Sequence, residues 1–401
     1  MRYHHIGLAA ALCAATGATA GDYSSWGNYR NITVNTAGIT TQNLTGYPIL
    51  VRFNATAHAN MFTGATAALA TGADLRFTKA DGTTDLPFQI EHWSTGASGS
   101  GAVWVRLDTV LANSATAASF RVYWRKSDAT TLSNAAATFP TANGFQAVFH
   151  LSEPSGNVTD AANGYVGTAT GTFTMEGIIG MSRVFHDAQP SADEPAGNFI
   201  SFAPGASAPL STHTGAMTLE AWVLASPVSN NGNTSAGTKQ ILSRTTASGD
   251  GVYLFRSGTG APGNYYGAGG TAAQAETNIG PRTPFGEQSN WAYITATYTG
   301  TAWVIRRQRN DDPWGVPTIT GGETTPVVSI TSAGPVASPN PWFIGAWSSN
   351  GTAAGTMSRP WAGNLDEVRI STVARDSNYI RLNYETQRTT TTVVAVGQSV
   401  T

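Results

Sequence analysis

Apolar and polar residues alternate in short runs along most of this chain. Phe120-Arg-Val-Tyr-Trp124 and Trp291-Ala-Tyr-Ile-Thr-Ala-Thr-Tyr298 keep the period of two that sends successive side chains to opposite faces of a pleated strand. Clusters of Gly, Asn, Ser and Pro separate the runs, as tight turns between strands require. Helical periodicity is confined to Asp376 to Gln387, where Ile380 and Tyr384 share one face and Asp376 or Ser377 stands as the cap. The pattern predicts an all-β protein with one or two short helices.

A chain of 401 residues exceeds one ordinary core, so two domains are expected. The break falls in the small-residue connector Ser133 to Gly144, giving β-sandwich domains over 21–140 and 145–401. Ser229 to Thr238 and Ser257 to Gly270, rich in Gly, Ser and Asn, read as long surface loops of the second. Residues 1–20 carry Arg2, the apolar run Ile6 to Ala15 and Ala18-Thr19-Ala20, the layout of a signal peptide cleaved before Gly21. The chain is therefore expected to be exported, to the periplasm, cell surface or medium. The apolar run is shorter than the roughly 20 residues of a membrane span, and no integral membrane segment is expected after cleavage. Cys13, the one cysteine, lies in that signal, so disulfides play no part in the mature fold. Charged residues make up 11% of the chain with a formal charge of −2, which leaves no basic footprint for nucleic acid.

Residues 23 to 139 resemble the bacterial secreted family called domain of unknown function 2341. The resemblance rests on Trp26 with Tyr29-Arg-Asn-Ile-Thr-Val34, Tyr47-Pro-Ile-Leu-Val51, Asp74-Leu-Arg-Phe77, Leu86-Pro-Phe-Gln-Ile-Glu-His-Trp93 and Val103-Trp-Val-Arg106. It implies a β-sandwich and no known activity. Residues 145 to 400 resemble a concanavalin A-like, laminin-G jelly roll through Val148-Phe-His-Leu-Ser-Glu153, Asp160-Ala-Ala-Asn-Gly164, Thr218-Leu-Glu-Ala-Trp222 and Gly363-Asn-Leu-Asp-Glu-Val-Arg-Ile370. The pairing of the two resemblances occurs in bacterial envelope proteins, some with a proton-channel-like domain of the ExbB type.

Alternation along Leu365 to Ile370 places Asp366 on the face of Val368 and Ile370. A carboxylate at the core edge needs compensation, and the jelly-roll resemblance implies a structural calcium there, with Asp160 and Asn163 as further ligands. The competing reading has Asp366 accepting backbone N–H groups, and Asp160 and Asn163 making ordinary Asx-turns. Asp187, Asp193 and Glu194 form a second oxygen-rich group with the same two readings. Glu220 and Trp222 share the strand face opposite Leu219, Ala221 and Val223, a candidate groove lining if the apolar trio fills the core. Trp314 and Trp347, with Asn350, sit in loop-like stretches where an exposed indole stacks on a sugar, whereas Trp222, Trp291 and Trp361 read first as packing residues. The Glu-x-Asp-x-x-Glu strand of jelly-roll glycan hydrolases, His-Glu-x-x-His and Gly-x-Ser-x-Gly are absent, and His92, His150 and His186 show no ligand spacing. The expectation is an exported non-catalytic binding or adhesion protein whose second domain contacts a glycan or cell-surface polymer. Its rival is a structural or assembly component of an envelope machine that binds proteins.

Overall fold

The computed structural model describes residues 21–185, 197–225, 238–246, 248, 250–257, 264–270, 282–283, 290–315, 327–331, 333–352 and 357–401. The signal segment, the Asp187, Asp193 and Glu194 group, His186 and parts of both glycine-rich loops lie outside the described residues. The chain is all-β, as its patterning requires. Among the described residues no helix is long and apolar enough to cross a membrane.

The first sandwich packs a four-stranded sheet against a three-stranded one. The order in the first is Val394–Val400, Asn28–Val34, Ala118–Trp124, Arg76–Lys79, and in the second Leu44–Asn54, Ser100–Val110, Phe88–Ser94. Ile32, Val34, Phe77, Phe120 and Val122 from one sheet meet Ile49, Val51, Phe88, Val103 and Val105 from the other, all fully or nearly fully buried. Leu44–Asn54 contains Pro48, which cannot donate to a ladder, and the strand accordingly lies at the edge of its sheet.

The second sandwich joins two larger sheets. Phe173–Glu176, Met181–Phe185, Gly363–Ser371, Met217–Ala225, Ala292–Tyr298, Ala302–Arg309 and Val327–Thr331 follow one another in the first, with Phe145–Phe149 also paired to Gly363–Ser371. The facing sheet runs from Arg282–Thr283 through Asn264–Gly269, Gly251–Ser257, Lys239–Thr245, Trp342–Ile344, Phe199–Phe202 and Val166–Thr170 to Val158–Thr159. Leu219, Ala221 and Val223 point into this core with Leu242, Leu254 and Ile344, so the predicted inward trio is observed. Part of the stretch read as a loop from Ser257 to Gly270 is instead the strand Asn264–Gly269, with Tyr266 and Ala268 buried; its glycines concealed the alternation.

Two features tie the sandwiches together where a clean break was expected. The last strand, Val394–Val400, leaves the second domain and pairs antiparallel with Asn28–Val34, aligning Ile32 with Val396 and Val34 with Val394. The helix Ser377–Gln387, begun by Asp376 accepting the Tyr379 N–H at 2.8 Å, is wedged between the sandwiches. It buries Tyr379, Ile380, Leu382, Asn383, Tyr384, Thr386 and Gln387, so it has no broad wet face of the kind a surface helix shows. The Tyr47 ring packs on Tyr379 from the first sandwich, and Trp222 and Tyr293 pack on Tyr384 from the second.

Deleting Val394 to Thr401 should leave Asn28–Val34 as an unpaired edge and lower the melting temperature of the chain. Limited proteolysis of the truncated chain should cut first within residues 21–140, and an unchanged melting curve would show that the pairing contributes nothing.

Candidate functional site

The wedge closes over the strand face that carries Glu220 and Trp222. Both are fully buried: Trp222 is a packing residue, and the alternative in which the two line an open groove is corrected. The Trp222 indole N–H donates to Gln387 Oε1 at 2.8 Å, and Glu220 Oε1 accepts from the Tyr293 hydroxyl and from Asn383 Nδ2 at 3.0 Å. Tyr47 in turn donates its hydroxyl to Asn383 Oδ1 at 2.7 Å. The alternation argument placed the two side chains on the right face, but a face turned from one core is here the floor of another. Burial, then the Glu220 charge, raise the Tyr293 phenol far above its usual range.

Asp366 belongs to the same junction for a reason the sequence hid. Pairing of Met217–Ala225 with Gly363–Ser371 jumps from Glu220↔Arg369 to Trp222↔Asp366, a bulge in which Glu367 takes φ +52°. The extra residue breaks the period of two. Leu365, Val368 and Ile370 face the core, whereas Asp366, Glu367 and Arg369 are buried outside it. Asp366 Oδ2 accepts the N–H groups of Ile178 at 2.9 Å and Ile179 at 3.1 Å, in a loop where any side chain at Gly177 would strike that oxygen. Its expected co-ligands are elsewhere engaged: Asp160 accepts the N–H groups of Val148, Ala162 and Asn163, and the Asn163 amide donates to the Gln146 carbonyl. Asp160 and Asn163 thus form a backbone-capping turn.

Around Glu367 the two sandwiches exchange charges in a dry setting. His150 Nδ1 lies 2.6 Å from Glu367 Oε1 and 3.4 Å from Glu91 Oε2, and Arg369 donates Nε–H to Glu367 Oε2 at 3.0 Å. Burial alone would raise the Glu367 carboxyl, but His150 and Arg369 outweigh it and bring it down to about 2. Glu91 moves the other way, pushed well up by burial, Glu367 and Asp366. Arg52 reaches across from the first sandwich and donates to the carbonyls of Thr386 and Gln387 at the end of the helix, of Arg388, and of Ile178. It thereby supplies both donors and positive charge to carbonyls that the helix leaves unpaired.

Trp314 is a packing residue rather than a free platform. Its ring lies 5.7 Å from Tyr384 and joins the junction core, held by a loop in which Gln308 bonds Pro313 and Gly315. Trp347 is half-buried on the outer face of the other sheet, against Tyr253 and Phe255 and 4.9 Å beneath the Arg359 guanidinium. Asn350 spends its carbonyl oxygen on Ser348 and Thr352 and so shapes the adjoining turn.

An open cleft lies in the first sandwich instead, with a volume of about 540 Å³ and Arg76, Lys79, Asp85, Arg106, Asp108 and Leu132 among its walls. That volume falls in the range of small-molecule sites. Most of its charges are already engaged. Arg76 donates to the carbonyls of Ala73, Leu75 and Thr130, Asp85 accepts the Tyr23 hydroxyl, and Lys79 pairs with Asp108 at 2.5 Å. Among the described residues no hydrogen bond, ion pair or ring contact engages the half-buried Arg106 guanidinium. Leu132 adds a half-exposed apolar wall. The cleft was not anticipated: in the sequence Arg106 stands only as the end of the family-like piece Val103-Trp-Val-Arg106, with no chemistry attached to it.

Residues 71–150 match the family described as a domain of unknown function (DUF2341), a segment that contains every wall residue of the cleft and both Glu91 and His150. No curated protein matches the chain. Among solved structures, the binding domain of Paraclostridial Mosquitocidal Protein 1 is similar at 10% identity and TM-score 0.38, over 61% of this chain and 52% of that one. The binding domain of botulinum neurotoxin DC with rat synaptotagmin II gives 8% identity and TM-score 0.33 over 62% and 52%. A Trypanosoma rangeli sialidase gives 16% identity and TM-score 0.34 over 67% and 35%. The chain thus spans about half or less of the length of these structures.

Burial moves Trp314 from the exposed group of tryptophans toward the packed one. Trp222→Ala should cost roughly 3–5 kcal/mol, as for other large buried side chains. Trp314→Ala should cost a smaller but clear amount, and Trp347→Ala the least. Chemical denaturation of the three variants checks the ranking, and equal stability of Trp222→Ala and wild type would refute the wedge.

Proposed function

We propose that this chain is an exported, non-catalytic binding protein that takes its ligand in the cleft of the first sandwich, with the laminin-G-like second sandwich as the rigid body behind it. The reading is carried by one observation, a cleft of ligand size whose acids are tied and whose guanidinium at Arg106 is not. Asp85 and Asp108 are held by Tyr23 and Lys79, so the cleft favours recognition over proton transfer, which needs a carboxyl able to reach the substrate. A planar guanidinium beside an apolar wall suits a carboxylate-bearing or hydroxyl-rich ligand, such as a glycan or surface polymer with uronic acid units. This reverses the division of labour expected from sequence, in which the second domain did the binding.

Arg106→Ala removes a charge-assisted contact that is typically worth about 1.5–3 kcal/mol, so affinity should fall by roughly ten- to a hundredfold. The measurement is a glycan array that includes acidic saccharides, followed by titration of the best ligand into wild type and variant, with melting curves to establish that both are folded. A ligand bound equally well by folded Arg106→Ala would place binding outside the cleft.

A further inference from the structure

We infer that Glu91, His150 and Glu367 form a binding site for a single divalent ion of the zinc class, which clamps the first sandwich to the second. Glu91 lies on Phe88–Ser94 of the first sandwich, Glu367 on Gly363–Ser371 of the second, and His150 directly after Phe145–Phe149. One ligand atom from each falls within 4.8 Å of the others, and the three side chains are almost wholly shielded from solvent.

Each ligand is held from behind by a different group, as metal sites require for orientation. His150 donates its Nε2–H to Gln89 Oε1 at 3.1 Å, which fixes the tautomer and leaves the Nδ1 lone pair for the site. Trp104 donates its indole N–H to Glu91 Oε2 at 2.6 Å, and Arg369 holds the outer oxygen of Glu367. An imidazole nitrogen so fixed faces two carboxylates, the three-group set that a divalent ion takes. A proton on Nδ1 meets Glu367 but leaves Glu91 Oε1, which is buried, without any partner. A divalent ion held through Oε2 supplies twice the charge and gives the whole carboxylate, Oε1 beside it included, a cationic partner.

With all ligand atoms within 4.8 Å of one another, closure on an ion needs shifts of no more than about 1.5 Å. Tetrahedral arms of about 2.0–2.1 Å put ligand atoms roughly 3.3–3.4 Å apart, and Nδ1 to Glu91 Oε2 already spans 3.4 Å. Glu367 Oε1 must withdraw from Nδ1 by less than about 1 Å, displacing the Nδ1 proton to solvent as the ion enters. The left-handed backbone of Glu367, uncommon for any residue but glycine, is what turns this carboxylate toward His150 in place of its neighbour Asp366. An imidazole ligand with two carboxylates favours zinc over calcium, which takes oxygen alone.

The test uses the full chain, stripped with chelator and dialysed against zinc, cobalt(II) or calcium. Elemental analysis should return one zinc per chain, zinc should raise the melting temperature, and cobalt should produce the visible absorption of a tetrahedral site. Glu91→Gln keeps the Trp104 bond and the shape of the side chain, so it should stay folded, lose the cobalt band and bind zinc at least tenfold more weakly. A folded wild type without stoichiometric zinc and without a cobalt band would overturn the inference, as would calcium protection without zinc protection, or a Glu91→Gln chain that binds zinc as tightly as wild type.

Discussion

The structure depends on burying one short helix between two sandwiches, with its amide side chains hydrogen-bonded to both. A surface helix sends unpaired end groups and polar side chains to water, and Ser377–Gln387 has almost no such outlet. Its amide side chains are instead shared between the sandwiches. Asn383 takes the Tyr47 hydroxyl from one and gives Nδ2–H to Glu220 of the other, while Gln387 takes the Trp222 indole. Arg52 closes the helix end, and its own burial draws its pKa down to about 10. Removing one partner from such a network leaves a further buried polar group exposed to the full cost of its lost hydration.

The bulge at Glu367 turns the neighbouring strand to the same purpose. One extra residue lets Leu365 and Val368 face the core of the second sandwich while Asp366, Glu367 and Arg369 are buried on the other side. A core cluster consequently runs without a break from Ile49 and Val103 to Trp222, Tyr293 and Tyr384. The chain end repeats the logic by lending Val394–Val400 to the first sandwich's outer sheet. Both the last strand and the shared core therefore cross the connector at 140 to 145.

Much of the fold was legible because it depends on local periodicity. The strands Ala118–Trp124 and Ala292–Tyr298, the capped helix, and the inward trio of Leu219, Ala221 and Val223 all follow from spacing along the chain. The junction was not legible, because its partners are far apart in sequence: His150 meets Glu367 across 217 residues, and Tyr47 meets Asn383 across 336. Glu220 and Trp222 carried the right face and the wrong surroundings, since alternation reports which side of a sheet a residue takes and nothing about what covers that side. Asp366 failed for a local reason, as a bulge shifts the period and leaves no signature when its left-handed residue is Glu rather than Gly. Trp314 reads as an exposed indole until Tyr384 is seen beneath it, and Arg106 becomes visible only when its neighbours are found paired with one another.

If the helix and its polar partners weld the sandwiches into one body, neither can melt alone. Calorimetry of the full chain measures this directly. The account predicts a single transition whose calorimetric enthalpy equals its van't Hoff enthalpy. Two resolved transitions, each with its own midpoint, would contradict it and return the protein to a pair of independent domains.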